Sequence, residues 1–428
     1  MEKITKIIAV LAVCVISTAV FAQESSSLLK PVNDLNLGTF SGHAQLLYSD
    51  LKIDGLGSTN GEGNANSTTL GLKLDYVSPT FAGLTLSLSY IDTEVLGSGG
   101  GAFDTGKAAG AFIGNGGFSI LNEAYISYNA AALGLEKTTL IVGRKVLDTE
   151  VMTPGTVTAW QKERSYECAV MISEDIQDTV LILGHLERMS NVWATDDAWK
   201  FGDLSEDLLG LGWQTRGVEY FQTTYNGIAN MEIAVYDAYL HDIMNVAGTR
   251  IKYDIDEALS LNVWYKHECS IQEIDNLTDE GKIINSNLYS ASLTYAAENF
   301  TIEPGFVIMG GNTAKGTALV NQTTLGFNHP LAETILYTDQ WNGGADTYFV
   351  KVDTKIGKTS AYLLAAYTNN DSGVDVSDGY EIDLMVSRPI VENLDASVKL
   401  AYARGDSSVP ATDDVVTTLA QVYLTYTF

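Results

Sequence analysis

The chain has 428 residues, with 53 acidic against 25 basic side chains and a formal net charge of −28. That acidity repels a phosphate backbone and excludes nucleic acid as a partner, while it favours cations near the surface. Mean hydropathy is nevertheless slightly positive, although no run after residue 22 approaches the ~18 apolar residues of a membrane-spanning helix. Alternating strands satisfy both facts.

Residues 1–22 open with Lys3 and Lys6, continue with an apolar core over 7–19 and end Val20-Phe21-Ala22. This is the pattern of a cleaved signal peptide, with cleavage expected before Gln23. The apolar run is short for a retained anchor of ~20 residues. A lipoprotein would use Cys14, but Val13 is bulky and apolar sequence continues beyond the cysteine. Removing 22 of 428 residues leaves 406, and losing Glu2, Lys3 and Lys6 takes the side-chain charge to −29. Residues 23–39 read as a short periplasmic segment, too short for a plug domain.

From residue 40 the chain reads as a meander of short segments with period-two apolar patterning. Strands are expected at 40–50, 68–78, 84–93, 120–129, 137–145, 163–173, 179–188, 216–225 and 231–241. They continue at 248–254, 260–268, 287–296, 300–309, 347–356, 360–369, 379–387, 394–403 and 415–428. Connections alternate between short and long, the longest being 96–117, 146–160, 189–213 and 310–345. Segments of ~9–11 residues suit tilted strands that cross a bilayer. The fold expected is all-β: a transmembrane antiparallel barrel of about 18 strands, 16 if the segment 248–254 and the stretch after Met309 are misread. Short turns would be periplasmic and long loops extracellular.

The last nine residues, A-Q-V-Y-L-T-Y-T-F, place an apolar or aromatic residue at every second position and end on Phe428. In a soluble sheet such an edge invites aggregation. In a membrane barrel it closes against the first strand, with Tyr426 and Phe428 serving as the assembly signal in the aromatic girdle. The 22 tyrosines outnumber the 13 phenylalanines, in keeping with membrane interfaces. Cys168 and Cys269 fall on different strands, so no disulfide scaffold is expected. His43, His185, His241, His267 and His329 lack metal-ligand spacing, and neither a metal nor a cofactor is expected.

Several segments resemble the OprD-like porins, in particular the major outer-membrane porins of epsilonproteobacteria. They are I-L-N-E-A-Y-I-S-Y at 120–128, L-I-V-G-R-K-V-L-D-T at 140–149, D-I-Q-D-T-V-L at 175–181 and the stretch 217–239 around Y-N-G-I-A-N-M. The resemblance implies an 18-stranded trimeric porin whose third extracellular loop, here 146–160, folds into the lumen. Where the family pattern continues with proline directly after L-D-T, this chain has Glu150-Val151-Met152-Thr153-Pro154. The resemblance further implies that basic wall residues conduct carboxylates.

Facing alternates along each strand, so the polar phase gives a lumen list. It comprises the acids Asp75, Glu123, Glu167, Glu219, Glu303, Glu381 and Asp383 and the bases Lys73, Arg250, Lys252, Lys266, Lys351 and Lys399. A Lys or Arg facing hydrocarbon at mid-depth would cost about 2–4 kcal/mol. Arg144 shares the phase of Leu140 and Val142, so either a bulge at Gly143 re-aims it or it sits just above the membrane. Asp148 and Glu150 of the third loop are expected to face a wall containing Arg144 and Lys145, setting a field across a constriction.

The expected function is an outer-membrane porin that passes ions and small hydrophilic solutes, with a preference for cations. A channel preferring small carboxylates or amino acids is the alternative. An outer-membrane enzyme would need a nucleophile and base at one barrel face, and no such local signature is present. An adhesin barrel is a remote alternative. Expected partners are outer-membrane lipid, the barrel assembly machinery and two further copies of the chain in a homotrimer.

Overall fold

The computed structural model describes residues 37–54, 63–100, 117–152, 163–190, 201–202, 214–271, 284–313, 344–370, 378–405 and 414–428. The expected signal peptide (residues 1–22), residues 23–36 and loop residues 153–160 lie outside them.

Nineteen strands follow in chain order: β1 (Thr39–Asp54), β2 (Gly63–Val77), β3 (Leu84–Gly100), β4 (Phe118–Asn129), β5 (Thr138–Lys145), β6 (Tyr166–Ser173) and β7 (Thr179–Ser190). Next come β8 (Phe201–Gly202), β9 (Val218–Ile228), β10 (Met231–Leu240), β11 (Met244–Asp254), β12 (Leu259–Ser270) and β13 (Ile284–Ala296). The last are β14 (Phe300–Thr313), β15 (Ala345–Ile356), β16 (Thr359–Asn370), β17 (Gly379–Val391), β18 (Leu394–Gly405) and β19 (Val415–Thr427). Each strand pairs antiparallel with its neighbour. Because β7 pairs directly with β9, the two-residue β8 is only an appendage to the end of β7. Eighteen strands therefore form the wall, and all eighteen expected segments are present. The segment expected at 248–254 is the longer β11.

β1 pairs with both β2 and β19, which closes the cylinder. The closure is sealed at the last residue. Phe428 N donates to the Gly42 carbonyl and Gly42 N to the Phe428 carbonyl, each at 3.0 Å. A Cβ at Gly42 would meet the Lys73 carbonyl at 2.2 Å and the Phe428 ring at 3.1 Å, so glycine lets the three strands approach there. At the short-turn end, left-handed residues reverse the chain: Asn230, Gly357 and Asn393 have φ of 61°, 61° and 64°. Asp175 ties two adjacent turns, accepting from Lys137 N at 3.0 Å and from the Thr138 hydroxyl at 2.6 Å.

Cross-strand registers fix one face for the whole wall. Leu46, Leu70, Leu74, Leu86, Ile126 and Val142 point outward, as do Val235, Val263, Leu293, Val350, Leu363 and Leu400. Burial of the inner face is uneven. Leu147, Val151 and Met152, from the segment after β5, pack inside against Val170, Leu186, Tyr220, Tyr236, Ala238 and Leu240. A second inner cluster joins Leu288, Val307, Met309, Phe349 and Leu364. Parts of the inner face are thus as apolar as the outer one, which decides several placements below.

Candidate functional site: a loop held across the barrel interior

The segment 146–152 leaves β5 and turns inward. Val146 N donates to Glu123 Oε1 at 2.9 Å, so a wall carboxylate directs the first step. The Thr149 hydroxyl then accepts from Met152 N at 2.9 Å and Val151 N at 3.3 Å, forming a local turn. That turn drives Val151 and Met152 into the inner apolar cluster, where both are fully buried. Glu150 is carried with them. Its amide donates to Gln222 Oε1 on β9 at 3.1 Å.

The Glu150 carboxylate receives the Arg250 guanidinium from β11. Nε donates to Oε1 at 2.9 Å and to Oε2 at 3.1 Å, and Nη2 lies 2.8 Å from Oε1. Arg250 also pairs with Glu232 of β10 and lies 5.9 Å from the Trp264 ring centroid. One cation therefore serves two carboxylates. Charge-assisted contacts of this kind are the strong ones, and Arg250 and Glu150 are only 17% and 9% exposed.

The returning end of the same connection is held on the opposite wall. Glu163, just before β6, accepts from Lys73 Nζ of β2 at 2.7 Å, and Asp75 lies 4.0 Å from that ammonium. Around the barrel β2 and β11 are eight strands apart one way and ten the other. The described ends of the connection between β5 and β6, 146–152 and 163–165, are consequently held at nearly opposite sides of the interior.

Other sequence-derived site residues take these places. Lys145 points inward, its ammonium 4.4 Å from the Tyr125 ring centroid. Asp148 is exposed in the loop, and among the described residues it pairs with no cation. Lys252 lies 3.9 Å from Asp254, and Glu303 sits opposite Lys351 on the inner face. Lys266 is fully buried, 3.8 Å from Glu268. Glu381, Asp383 and Lys399 face inward and are buried. Glu163, Glu232 and Glu268 were not singled out from the sequence. Glu232 lies on a segment whose inner neighbours Ala234 and Tyr236 are themselves apolar, so parity gave no signal there.

Two expected positions are corrected, and Arg144 keeps the outward phase that its parity gives. Glu167 pairs across from Arg144, on the face shared by Ala169 and Val142, so both point outward. Glu219 lies on the outward face of Phe221 and is 57% exposed, while Val218 and Tyr220 point inward and are buried. Gly143 has φ +130° but introduces no register shift, so Arg144 is not re-aimed into the lumen. The cause of both corrections is the same. On β5 to β10 the inner face packs against Leu147, Val151 and Met152, so apolar residues there are inside and charges lie outside.

The described residues thus form a closed antiparallel 18-stranded barrel whose loop after β5 turns inward and is held by ion pairs. No family model matches the sequence, and no curated protein does. Solved structures do match. Pseudomonas aeruginosa OccK9 (OpdG) is 14% identical, with a TM-score of 0.69 over 91% of this chain and 98% of that one. The outer membrane protein OpdK of the same organism is 10% identical, TM-score 0.66, over 91% and 99%. OccK2 (OpdF), solved in complex with glucuronate, is 12% identical, TM-score 0.65, over 91% and 98%. These are OprD-like (Occ) porins, and at such identities the likeness is one of fold.

Proposed function

We propose that this protein is an outer-membrane porin, a water-filled channel for passive diffusion of ions and small hydrophilic solutes. The observation that carries the reading is the loop pinned at Arg250 and at Lys73 within a closed 18-stranded wall. Barrels of ~16–18 strands leave an aqueous lumen, and a loop braced across it narrows that lumen without plugging it. In this reading a cleaved signal peptide exports the chain, the assembly machinery inserts it through Tyr426 and Phe428, and no reaction is catalysed. The motifs quoted above support the narrower epsilonproteobacterial likeness.

The channel prefers cations. Arg250 is shared by Glu150 and Glu232, so that trio carries a net negative charge, and exposed Asp148 adds to it. A narrow low-dielectric passage magnifies such charges. A second reading is favoured by the inward Lys73, Lys145, Lys252, Lys351 and Lys399 together with the sugar acid named in the OccK2 complex: a channel preferring small carboxylates. Planar-bilayer recordings test both. Ohmic conductance supports a channel, and the sign of the zero-current potential in a salt gradient separates the selectivities. Folded protein that gives no conductance would overturn the proposal.

A further inference from the structure

The returning end of the inward connection is tied to two wall strands and crosses the one between them. Glu163 accepts from Lys73 of β2 at 2.7 Å, and two residues later the Ser165 hydroxyl donates to Asn122 Oδ1 of β4 at 3.0 Å. Lys73 stands opposite Ile91 of β3, and Ser89 of β3 stands opposite Glu123, next to Asn122. Residues 163–165 therefore pass from β2 to β4 across β3, with Arg164 at the crossing. Asn122 is the extra residue of a bulge in β4, since Ser89 pairs with Glu123 and Tyr90 with Leu121. A bulge re-aims the side chain it carries. Ser165 is fixed in turn to the end of β7, where its amide donates to Ser190 Oγ at 2.9 Å.

Around this crossing Ser89 Oγ, Thr93 Oγ1, Asn122 Nδ2 and Arg164 Nε have no hydrogen-bond partner among the described residues. All four residues are buried, and Arg164 is only 3% exposed. Among the described residues Arg164 also forms no ion pair: Glu163 is turned to Lys73, and Glu123 accepts from Val146 N. A buried charge without a counter-charge is more costly than an unpaired neutral group. The set has one chemical character. Arg164 Nε and Asn122 Nδ2 can only donate, and the two hydroxyls can rotate to donate as well. Four donors and one uncompensated positive charge suit a small anion with several acceptor oxygens. A water molecule would leave the arginine charge uncompensated.

We infer that Ser89, Thr93, Asn122 and Arg164 form a site for a small tetrahedral oxyanion of the phosphate or sulfate class, held between the returning end of the loop and the inner face of β3 and β4. Its donors are buried, so the anion is a resident of the wall and not a solute in transit. It joins β3, β4 and the loop through one ligand, beside the contact of Lys73 with Glu163. The inference stands on the fold alone and holds whether or not the barrel conducts.

The test dialyses the purified full-chain barrel against radiolabelled inorganic phosphate at fixed ionic strength. Total inorganic phosphate is assayed again after heat unfolding, so that an anion too slow to exchange is still counted. The temperature of heat modification is read on the same samples. The results expected are saturable binding of one phosphate per chain, displacement of the label by sulfate, and a midpoint that rises with phosphate to a plateau, as for a ligand of the folded state alone. Asn122→Asp keeps the acceptor for Ser165 and replaces the Nδ2 donor with a carboxylate oxygen, so it should abolish both the binding and the plateau. Arg164→Met should do the same, and where it gives no heat-modifiable barrel the wild type and Asn122→Asp decide. Lys351→Met, on the inner face but remote from this crossing, should bind as the wild type does. No saturable binding to the wild type, or binding that persists in a folded Asn122→Asp barrel, would overturn the inference. Loss of binding in Lys351→Met would do so too, by placing the phosphate in the lumen. So would a midpoint that climbs without a plateau, which is the general effect of an excluded salt.

Discussion

Arg250 grips Glu150 through two nitrogens, Nε at 2.9 Å and Nη2 at 2.8 Å, although a hundred residues separate the two in sequence. The contact joins the loop that follows β5 to the wall strand β11, and it makes one cation answer for two carboxylates. In the proposed channel it holds the loop and bears on selectivity, and each of these can be measured.

Selectivity is tested by removing charge at nearly constant shape. Asp148→Asn with Glu150→Gln leaves Arg250 paired only with Glu232, so the zero-current potential in a ~tenfold KCl gradient should move toward anions. The shift should be larger at low ionic strength, where screening is weaker. An anion-selective wild type, or a double variant with unchanged potential, removes both residues from this role.

Loosening the loop should be visible without altering the wall. Arg250→Met leaves Glu150 and Glu232 as neighbouring unpaired carboxylates. Loss of one partner of a dry buried pair costs about 3–5 kcal/mol, and lumen water should reduce that to roughly 2 kcal/mol here. Single-channel records should show higher conductance with frequent transitions, while the heat-modifiable barrel persists. Quiet records at the wild-type level would refute the anchoring role.

The second anchor is weaker and separable. Lys73 and Glu163 are 18% and 27% exposed, so a double-mutant cycle with Lys73→Met and Glu163→Gln should return a coupling of about 0.5–1 kcal/mol, read by urea unfolding in vesicles. Additive effects would mean that the 2.7 Å contact carries no stability.

Closure of the barrel should depend on its last residue. Deleting Phe428 removes both hydrogen bonds to Gly42 and the terminal aromatic. Outer-membrane insertion should fall several-fold while secretion continues, since each lost backbone bond is worth about 1 kcal/mol net and the edge strand is left open. Gly42→Val should produce the same defect through its clash with the Lys73 carbonyl. Normal amounts of heat-modifiable barrel in both variants would contradict this account.

The sequence by itself determined the order and direction of the wall strands and their number to within two. Period-two patterning is local, and the alternation of short and long connections repeats it at every hairpin, so eighteen segments could be counted without knowing what they touched. The facing expected of Lys73, Asp75, Arg250, Lys252, Glu303, Lys351, Glu381, Asp383 and Lys399 was read from the alternation of their own strands, whose outward phase is apolar. The tertiary structure decided everything that depends on what fills the interior. Where Leu147, Val151 and Met152 pack against β6 to β10 the inner face is apolar and the charges lie on the outer one. The polar phase is there the outer one, so Glu167 and Glu219 stand on the side opposite to the expected one, whereas Arg144 keeps the outward phase that its parity gives. The pairing of Glu150 with Arg250 and of Lys73 with Glu163 is likewise set by closure of the cylinder, which brings strands eight apart within reach of one loop. No pattern local to either partner carries that distance.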